Sequence, residues 1–329
     1  MLDILIVGFL FLFALAFVNG ANDVGKSVGG LIVDSIDDSK PAPLGKAVVL
    51  GALFSSIGSI TALLVSGRLF LTFTQDLVSF PLDDSFALAV LVGATMLVLV
   101  TSLLRLPVSS THTIIGAIVF ELLYLYGTSR IQWNVLLFRV LLPMFASPFI
   151  ALLATNLFHR LSTGRPSFSK AQSPRTLRIF HLGSASLTSF SRGINDGPKM
   201  AALGFFLLPL SSRGSLWIPY VFVAAAIFLG SITWGRKITE SLAKREERLD
   251  SDQRLRAGLT TATLVSAGAI FGVPISTTHV AAGANAGAKV GRREVFWCVT
   301  GQILLAWAVT FPLAGLLTIL ATKYLLVLL

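Results

Sequence analysis

The stretch that decides the fold is Asn-Gly-Ala-Asn-Asp-Val-Gly-Lys, residues 19–26. It interrupts an apolar run, although a charged group at the centre of a membrane helix costs about 2.5–3.5 kcal/mol on insertion. A related stretch, Arg-Gly-Ile-Asn-Asp-Gly-Pro-Lys, occupies residues 192–199. Both copies place an Asn-Asp pair three residues before a lysine. Because the chain repeats an expensive feature, we predict two related halves that share one buried polar site.

Composition indicates the environment of the chain. Hydrophobic residues make up 54% of the 329 residues and charged residues 13%, about half the charged share of a soluble protein. We therefore predict an all-α polytopic membrane protein in a lipid bilayer. The net charge of +10 does not indicate nucleic acid, because most Lys and Arg lie in a few loops between apolar runs, as in cytoplasmic loops. The single cysteine, Cys298, excludes internal disulfides.

The predicted organisation is two repeats joined by a basic linker. Residues 1–158 form the first repeat, 159–178 the cytoplasmic linker, and 179–329 the second repeat, which includes a charged cytoplasmic helix over 236–256. Each repeat contains about five apolar segments. An odd number makes the second repeat enter the membrane in the opposite sense, as in an inverted-topology repeat. Placing the basic loops inside a plasma membrane puts both termini outside.

The Asn-Asp motifs predict helices that are broken near mid-membrane, at Gly20–Gly25 and Gly193–Pro198. Carboxylates, amide oxygens and unwound carbonyls are ligands for Na⁺, and a carboxylate is also a proton acceptor. The alternative is a buried Asp–Lys pair that only neutralises itself. The candidates for cation or proton coupling are Asp23 and Lys26 in the first copy and Asp196 and Lys199 in the second.

A second pair of motifs is Pro107–His112 and Pro274–His279. Proline suits the first position of a helix, so the hydroxyl residues after it are expected in the first turn, where free amides and the helix dipole favour an anion. Two such turns facing each other would enclose a tetrahedral oxyanion. The alternative is that these hydroxyls cap half-helices or pack between spans. The hydroxyl residues are Ser109, Ser110 and Thr111, and Ser276, Thr277 and Thr278.

Three cationic side chains have several open roles. Lys26 and Lys199 either bind an anion, hold the aspartates in place, or stand in for a bound cation. Arg192 either contacts an oxyanion with both arms of its guanidinium or reaches the membrane edge. His112 and His279 are either proton relays or hydrogen-bonding residues between helices, and we expect the latter.

These four motifs resemble the inorganic phosphate transporter family, which includes bacterial low-affinity phosphate permeases and eukaryotic sodium–phosphate cotransporters. The resemblance covers nearly the whole chain. It implies an inverted-repeat secondary transporter, commonly a homodimer, that imports phosphate with Na⁺ or H⁺ by alternating access. Carried over by position, phosphate contacts fall on Asn22, Ser109, Ser110, Thr111, Asn195, Ser276, Thr277 and Thr278, and cation contacts on Asp23 and Asp196.

The chain departs from the sodium-type motif, which continues Asp-Val-Ala-Asn, because Gly25 and Lys26 follow Val24 here. The second copy is closer to the Asp-Gly-Gln-Lys form of proton-linked members. Lysines beside both carboxylates disfavour bound Na⁺ by charge repulsion, so H⁺ is the preferred coupling ion. The substrate alternatives are sulfate, arsenate or a metal–phosphate complex.

Two other classes of protein are weaker alternatives. An anion channel tends to line its path with rings of like groups, which the repeated motifs do not suggest. An enzyme is not expected, because the neighbouring Ser, Thr and His of one helix turn do not face one another. No organic cofactor is predicted.

Overall fold

A computed structural model of the chain describes residues 2–32, 42–78, 83–104, 106, 108–162, 171–208, 215–246, 249–289 and 293–324. Within these residues the chain is helical and contains no strand, which confirms the all-α prediction. The α-helices are α1 Leu2–Ile32, α2 Leu44–Val65, α3 Gly67–Leu71, α4 Asp84–Leu103, α5 Ser110–Tyr126, α6 Leu142–Ser162, α7 Pro174–Leu207, α8 Trp217–Thr233, α9 Gly235–Glu246, α10 Ser251–Phe271, α11 Thr277–Ala288 and α12 Arg293–Tyr324.

The outer surface of the helices is apolar, as a lipid-facing surface requires. Leu64 is 84% exposed and Leu161 is 69% exposed. Five helical segments of the described residues are long and apolar enough to cross a membrane: Ile4–Ile32, Leu44–Val65, Asp84–Leu103, Val135–Ser162 and Trp307–Tyr324. The protein is therefore a multi-pass membrane protein.

Helix packing exchanges partners between the two halves of the chain. Helix α1 packs on α8 while α7 packs on α2, and α5 packs on α12 while α11 packs on α6. Likewise α1 packs on α4 and α7 on α10. Each contact thus has a counterpart in which first-half and second-half helices change places. The inverted-repeat prediction requires such exchange, and the inverted sense itself stays a prediction.

The predicted breaks in the two motif helices are wrong. Helices α1 and α7 run continuously through both Asn-Asp motifs. Their glycines serve close packing instead of unwinding. A Cβ atom on Gly20 would collide with the Ile227 carbonyl oxygen, and one on Gly193 with the Ser55 carbonyl oxygen. The helices stay intact because side chains, some from the same helix and Arg192 from the other motif helix, pair with the two carboxylates without unwinding of the backbone.

Unwound backbone lies instead before α5 and α11. The α5 N-cap is Ser109, and its hydroxyl accepts from the His112 N–H; Ser276 and His279 repeat this at α11. The prediction of proline at the first helical position is wrong for Pro274, because Thr277 begins α11 and residues 273–276 are non-helical. Serine is a far better N-cap than the residues before it. Pro107 lies outside the described residues.

Helix α10 ends in a tip that packs on the peripheral helix α3. Gly272 closes α10 with φ +79°, a conformation that favours glycine. The Thr72 hydroxyl donates to the Gly272 carbonyl oxygen at 2.9 Å. We call Phe271, Gly272 and Val273 the α10 tip. Helix α11 has only 12 residues, about 18 Å, so it reaches from the middle of the protein to one side only.

The charged stretch 236–256 is not the single helix that was predicted. Helix α9 ends at Glu246, and a new helix, α10, begins at Ser251. The Asp250 carboxylate accepts from the Gln253 N–H, and the Gln253 side-chain oxygen accepts from the Asp250 N–H, which completes a capping box. This local signal starts a new helix within the charged stretch. Of the predicted linker, residues 163–170 lie outside the described residues.

Candidate functional site

The structure brings the predicted site residues together in the protein interior. The Asn-Asp motifs lie midway along α1 and α7, and the hydroxyl turns at the starts of α5 and α11 lie against them. Most of these side chains are at most 5% exposed, although ionisable groups are rarely buried in proteins. This buried set is Asn22, Asp23, Ser109, Ser110, Thr111, Arg192, Asn195, Asp196, Lys199, Ser276 and Thr277; Lys26 and Thr278 are half-buried at its edge.

Asp23 is held by two cations from different halves of the chain. The Lys26 ammonium donates to Asp23 Oδ1 from the next turn of α1. Arg192 of α7 places Nη2 2.5 Å from Asp23 Oδ2. Its Nη1 donates to the Asp23 carbonyl oxygen and, at 3.0 Å, to the Ser27 hydroxyl. Arg192 is therefore a buried link between α1 and α7, and the alternative that it reaches the membrane edge is wrong.

Asp196 repeats this arrangement in the second half. Lys199 Nζ lies 2.7 Å from Asp196 Oδ1, and Arg192 Nη2 lies 3.9 Å from Asp196 Oδ2. The amide of Asn195 also donates to Oδ1, at 3.2 Å, and the amide of Asn19 to Oδ2, at 3.4 Å. The central cluster, as we call Asp23, Lys26, Arg192, Asp196 and Lys199, holds three cations and two carboxylates. Its formal charge is thus +1 when every group is ionised.

Each lysine also contacts the hydroxyl turn of the opposite half. Lys26 donates to the Thr278 hydroxyl at 2.8 Å, and Lys199 donates to the Thr111 hydroxyl at 2.6 Å. The threonines in turn cross between the halves: Thr111 donates to the Ile275 carbonyl at 3.1 Å, and Thr278 to the Val108 carbonyl at 3.3 Å. The two hydroxyl turns therefore face each other through the lysines.

The two motif asparagines present matching acceptors. The Asn22 amide donates to the Ser102 hydroxyl at 3.1 Å and the Leu106 carbonyl at 3.2 Å, and the Asn195 amide to the Ile275 carbonyl at 3.2 Å. In the part of the chain that the structure describes, Asn22 Oδ1 and Asn195 Oδ1 have no hydrogen-bond partner. Buried polar atoms are normally satisfied. These two oxygens are therefore available to accept a hydrogen bond from a further donor.

The two histidines pack together across the halves. The rings of His112 and His279 lie 4.5 Å apart between centroids, and Trp307 lies 4.8 Å from His112. His112 Nδ1 lies 2.8 Å from the Ser109 hydroxyl of its own helix turn. We expected the histidines to form hydrogen bonds between helices. Instead, the contact between their two helices is a ring contact.

Sequence reasoning missed several groups that complete the site. Ser27, Ser102 and the carbonyl oxygens of Val108 and Ile275 all contact motif side chains. The proline motifs could have predicted the two carbonyls. Val108 and Ile275 each precede a capping serine, so they lie outside the helix and their carbonyls are free of helical hydrogen bonds. Among the described residues, no group of three His, Cys, Asp or Glu side chains is placed to hold a metal ion.

Buried ionisable groups inside a helical membrane protein often mark substrate and ion pathways, so the site indicates a membrane transport protein. A sequence profile of the phosphate transporter family matches residues 19–165 and 162–318. The chain belongs to the phosphate transporter family. The resemblance inferred from the four motifs is thereby confirmed, and the members of this family are transporters rather than enzymes.

Related proteins span much of the chain. A probable low-affinity inorganic phosphate transporter of Mycobacterium tuberculosis is 32% identical over 92% of this chain and 73% of its own length. One of Bacillus subtilis is 26% identical over 92% of both chains. The sodium-dependent phosphate transporter 1 of Mus musculus is 28% identical over 70% of this chain and 33% of its own length.

One solved structure shares the fold. It is described as the sodium-dependent phosphate transporter, and it superposes with a TM-score of 0.85 over 99% of this chain and all of its own. At 20% identity it supports the fold assignment alone.

Proposed function

We propose that this chain imports inorganic phosphate across the plasma membrane by symport with protons, through alternating access of two inverted repeats. The single observation that carries the proposal is the central cluster, which has a formal charge of +1 and lies between two hydroxyl turns. A buried cationic site with hydroxyl and lysine donors is suited to an oxyanion.

The cluster favours H⁺ over Na⁺ as the coupling ion. Both carboxylates are already paired, Asp23 with Lys26 and Arg192, and Asp196 with Lys199. A sodium ion at either carboxylate would face an ammonium group within a few ångströms, at a low effective dielectric constant. The ammonium groups of Lys26 and Lys199 thus occupy the positions beside the carboxylates that a bound Na⁺ would need. A proton moving onto or off a carboxylate–lysine pair needs no such space.

The orphaned acceptors favour phosphate over sulfate. Phosphate near neutral pH keeps at least one proton and donates a hydrogen bond, whereas sulfate only accepts. Asn22 Oδ1 and Asn195 Oδ1 are acceptors that a phosphate hydroxyl satisfies and that sulfate leaves unpaired. A site built for a donor discriminates strongly against an analogue that lacks it.

Alternating access is supported by the exchanged packing of helices. The contacts α1–α8, α5–α12 and α1–α4 have counterparts in α7–α2, α11–α6 and α7–α10. Two halves of similar architecture around one site are able to open it to either side in turn.

Proteoliposomes containing the purified protein test the proposal. An inward proton gradient should drive labelled phosphate above equilibrium, a Na⁺ gradient should not, and arsenate but not sulfate should compete. Uptake driven by Na⁺ alone would overturn proton coupling. Equal competition by sulfate would remove the substrate assignment, and flux that never exceeds equilibrium would indicate a channel.

A further inference from the structure

A polar cavity opens on one side of the central cluster. Its volume is about 60 Å³, and helices α1, α7, α10 and α11 enclose it. Lys26 lies at its inner end, and Arg254 lies in the first turns of α10, towards the side predicted to be cytoplasmic. Lys26 lines this cavity and Lys199 does not. The side chain of Lys26 is accordingly 8% exposed, whereas that of Lys199 is 0% exposed.

The described lining of this cavity suits an anion. It contains two cations, Lys26 and Arg254, and hydroxyl or amide groups from Ser184, Thr188 and Asn285, but no carboxylate. The Arg254 side chain is held in place by its contact with the Gly30 carbonyl, at 3.4 Å from Nη1. Guanidinium and hydroxyl donors converging on a cavity bind oxyanions by charge-assisted hydrogen bonds.

The polarity of this cavity is confined to one side of the cluster. The two motif pairs lie 173 and 167 residues apart, as Asn22–Asn195 and Pro107–Pro274 show. With these offsets, the polar lining residues correspond to apolar residues of the other half. Ser184 corresponds to Phe11, Thr188 to Leu15, Arg254 to Ala87, Thr261 to Ala94 and Asn285 to Ile118.

Four of those five counterparts, Leu15, Ala87, Ala94 and Ile118, are buried in the main hydrophobic core, and Phe11 packs against it. If the lining residues only served the architecture that the two halves share, equivalent positions in the two halves would carry similar residues. The polar set is therefore specific to the side that Lys26 faces, and packing of the fold does not require it.

We propose that this cavity is a second oxyanion site, in which Arg254 holds inorganic phosphate on its way from the central cluster to the cytoplasm, with Lys26 shared between the cluster and the cavity. The proposal rests on the phosphate transport proposed above. The site is reached from one face only, so it sets the apparent affinity for phosphate at that face and leaves the opposite face unchanged.

The experiment compares phosphate transport from the two faces. Right-side-out and inside-out membrane vesicles report the KM for phosphate at each face, in wild type and in Arg254→Gln. The loss of one charge-assisted contact should raise the KM at the predicted cytoplasmic face about tenfold. The KM at the other face should change by less than about twofold. Arg256→Gln, on the same helix but outside the cavity lining, is the matched control and should change neither value.

Two further variants guard against a folding defect. Arg254→Lys keeps the charge and should recover most of the affinity at that face. Asn285→Leu removes an amide from the lining and should raise the same KM several-fold. Unchanged KM in Arg254→Gln, or equal changes at both faces, would overturn the second site. Absence of phosphate transport by the wild type would instead refute the proposed function.

Discussion

Replacement of Asp196 by Asn tests the central cluster most directly. The carboxylate accepts from Lys199 at 2.7 Å, from Asn195 at 3.2 Å and from Asn19 at 3.4 Å. Its neutralisation leaves three buried cations with one carboxylate, so the formal charge of the cluster rises from +1 to +2. Removing one partner of a buried ion pair costs about 3–5 kcal/mol.

That cost predicts measurable losses of both function and stability. Applied to the transport cycle, a cost of about 3–5 kcal/mol corresponds to a fall in phosphate uptake by Asp196→Asn of roughly 10²- to 4 × 10³-fold, because about 1.4 kcal/mol is a factor of ten. The protein should still insert, since whole proteins are stable by about 5–15 kcal/mol, but its thermal midpoint in detergent should fall. Labelled phosphate uptake in proteoliposomes and a thermal shift assay measure the two effects.

A double variant separates a structural role from a functional one. Asp196→Asn combined with Lys199→Met returns the cluster to a formal charge of +1 and leaves no unpaired ammonium at that site. It should therefore regain most of the lost stability, while uptake stays low because Thr111 loses its lysine partner. Near-normal uptake by Asp196→Asn alone would show that the carboxylate is structural. A double variant no more stable than the single variants would refute the pairing.

Two further predictions concern packing and the α10 tip. Gly193→Ala should lower the free energy of unfolding by about 1–3 kcal/mol, because the added Cβ meets the backbone of α2. The control is Gly183→Ala on the same helix, where an added Cβ has nothing within 4 Å. In a thermal shift assay this control should be neutral or stabilising. Thr72→Val removes the hydrogen bond to Gly272, worth about 0.5–1.5 kcal/mol, and should speed maleimide labelling of a cysteine placed at the α10 tip several-fold. Thr74→Val, which removes a hydroxyl that donates to the Phe70 carbonyl oxygen within its own turn, should leave the labelling rate unchanged.

The sequence was sufficient to predict which residues meet. Asn22, Asp23, Asn195 and Asp196 cost too much at mid-membrane to stand alone, and their repetition identified partners that are far apart in the chain. The hydroxyl turns were found for a similar reason, because a Pro followed by Ser and Thr marks a helix start. The cost of burying a charge and the residues that begin a helix are local properties, so both can be predicted from the sequence.

The form of the backbone was harder to predict. Glycines such as Gly20 and Gly193 permit either a break or a close helix contact, and only the position of the neighbouring helix decides between them. The crossed contacts of Lys26 and Lys199 depend on tertiary geometry and have no local signal. Arg254 was one of several charges in the predicted helix 236–256, and only the folded chain shows that it lines a cavity.

The crossed lysine contacts mean that neither half of the chain contains the complete candidate site. Thr111 of the first half relies on Lys199 of the second, and Thr278 of the second relies on Lys26 of the first. A gene fragment encoding one half would lack donors that its own hydroxyl turn needs. Two fragments made in the same cell would supply each other with those donors, so the candidate site belongs to the junction of the halves and to neither half alone.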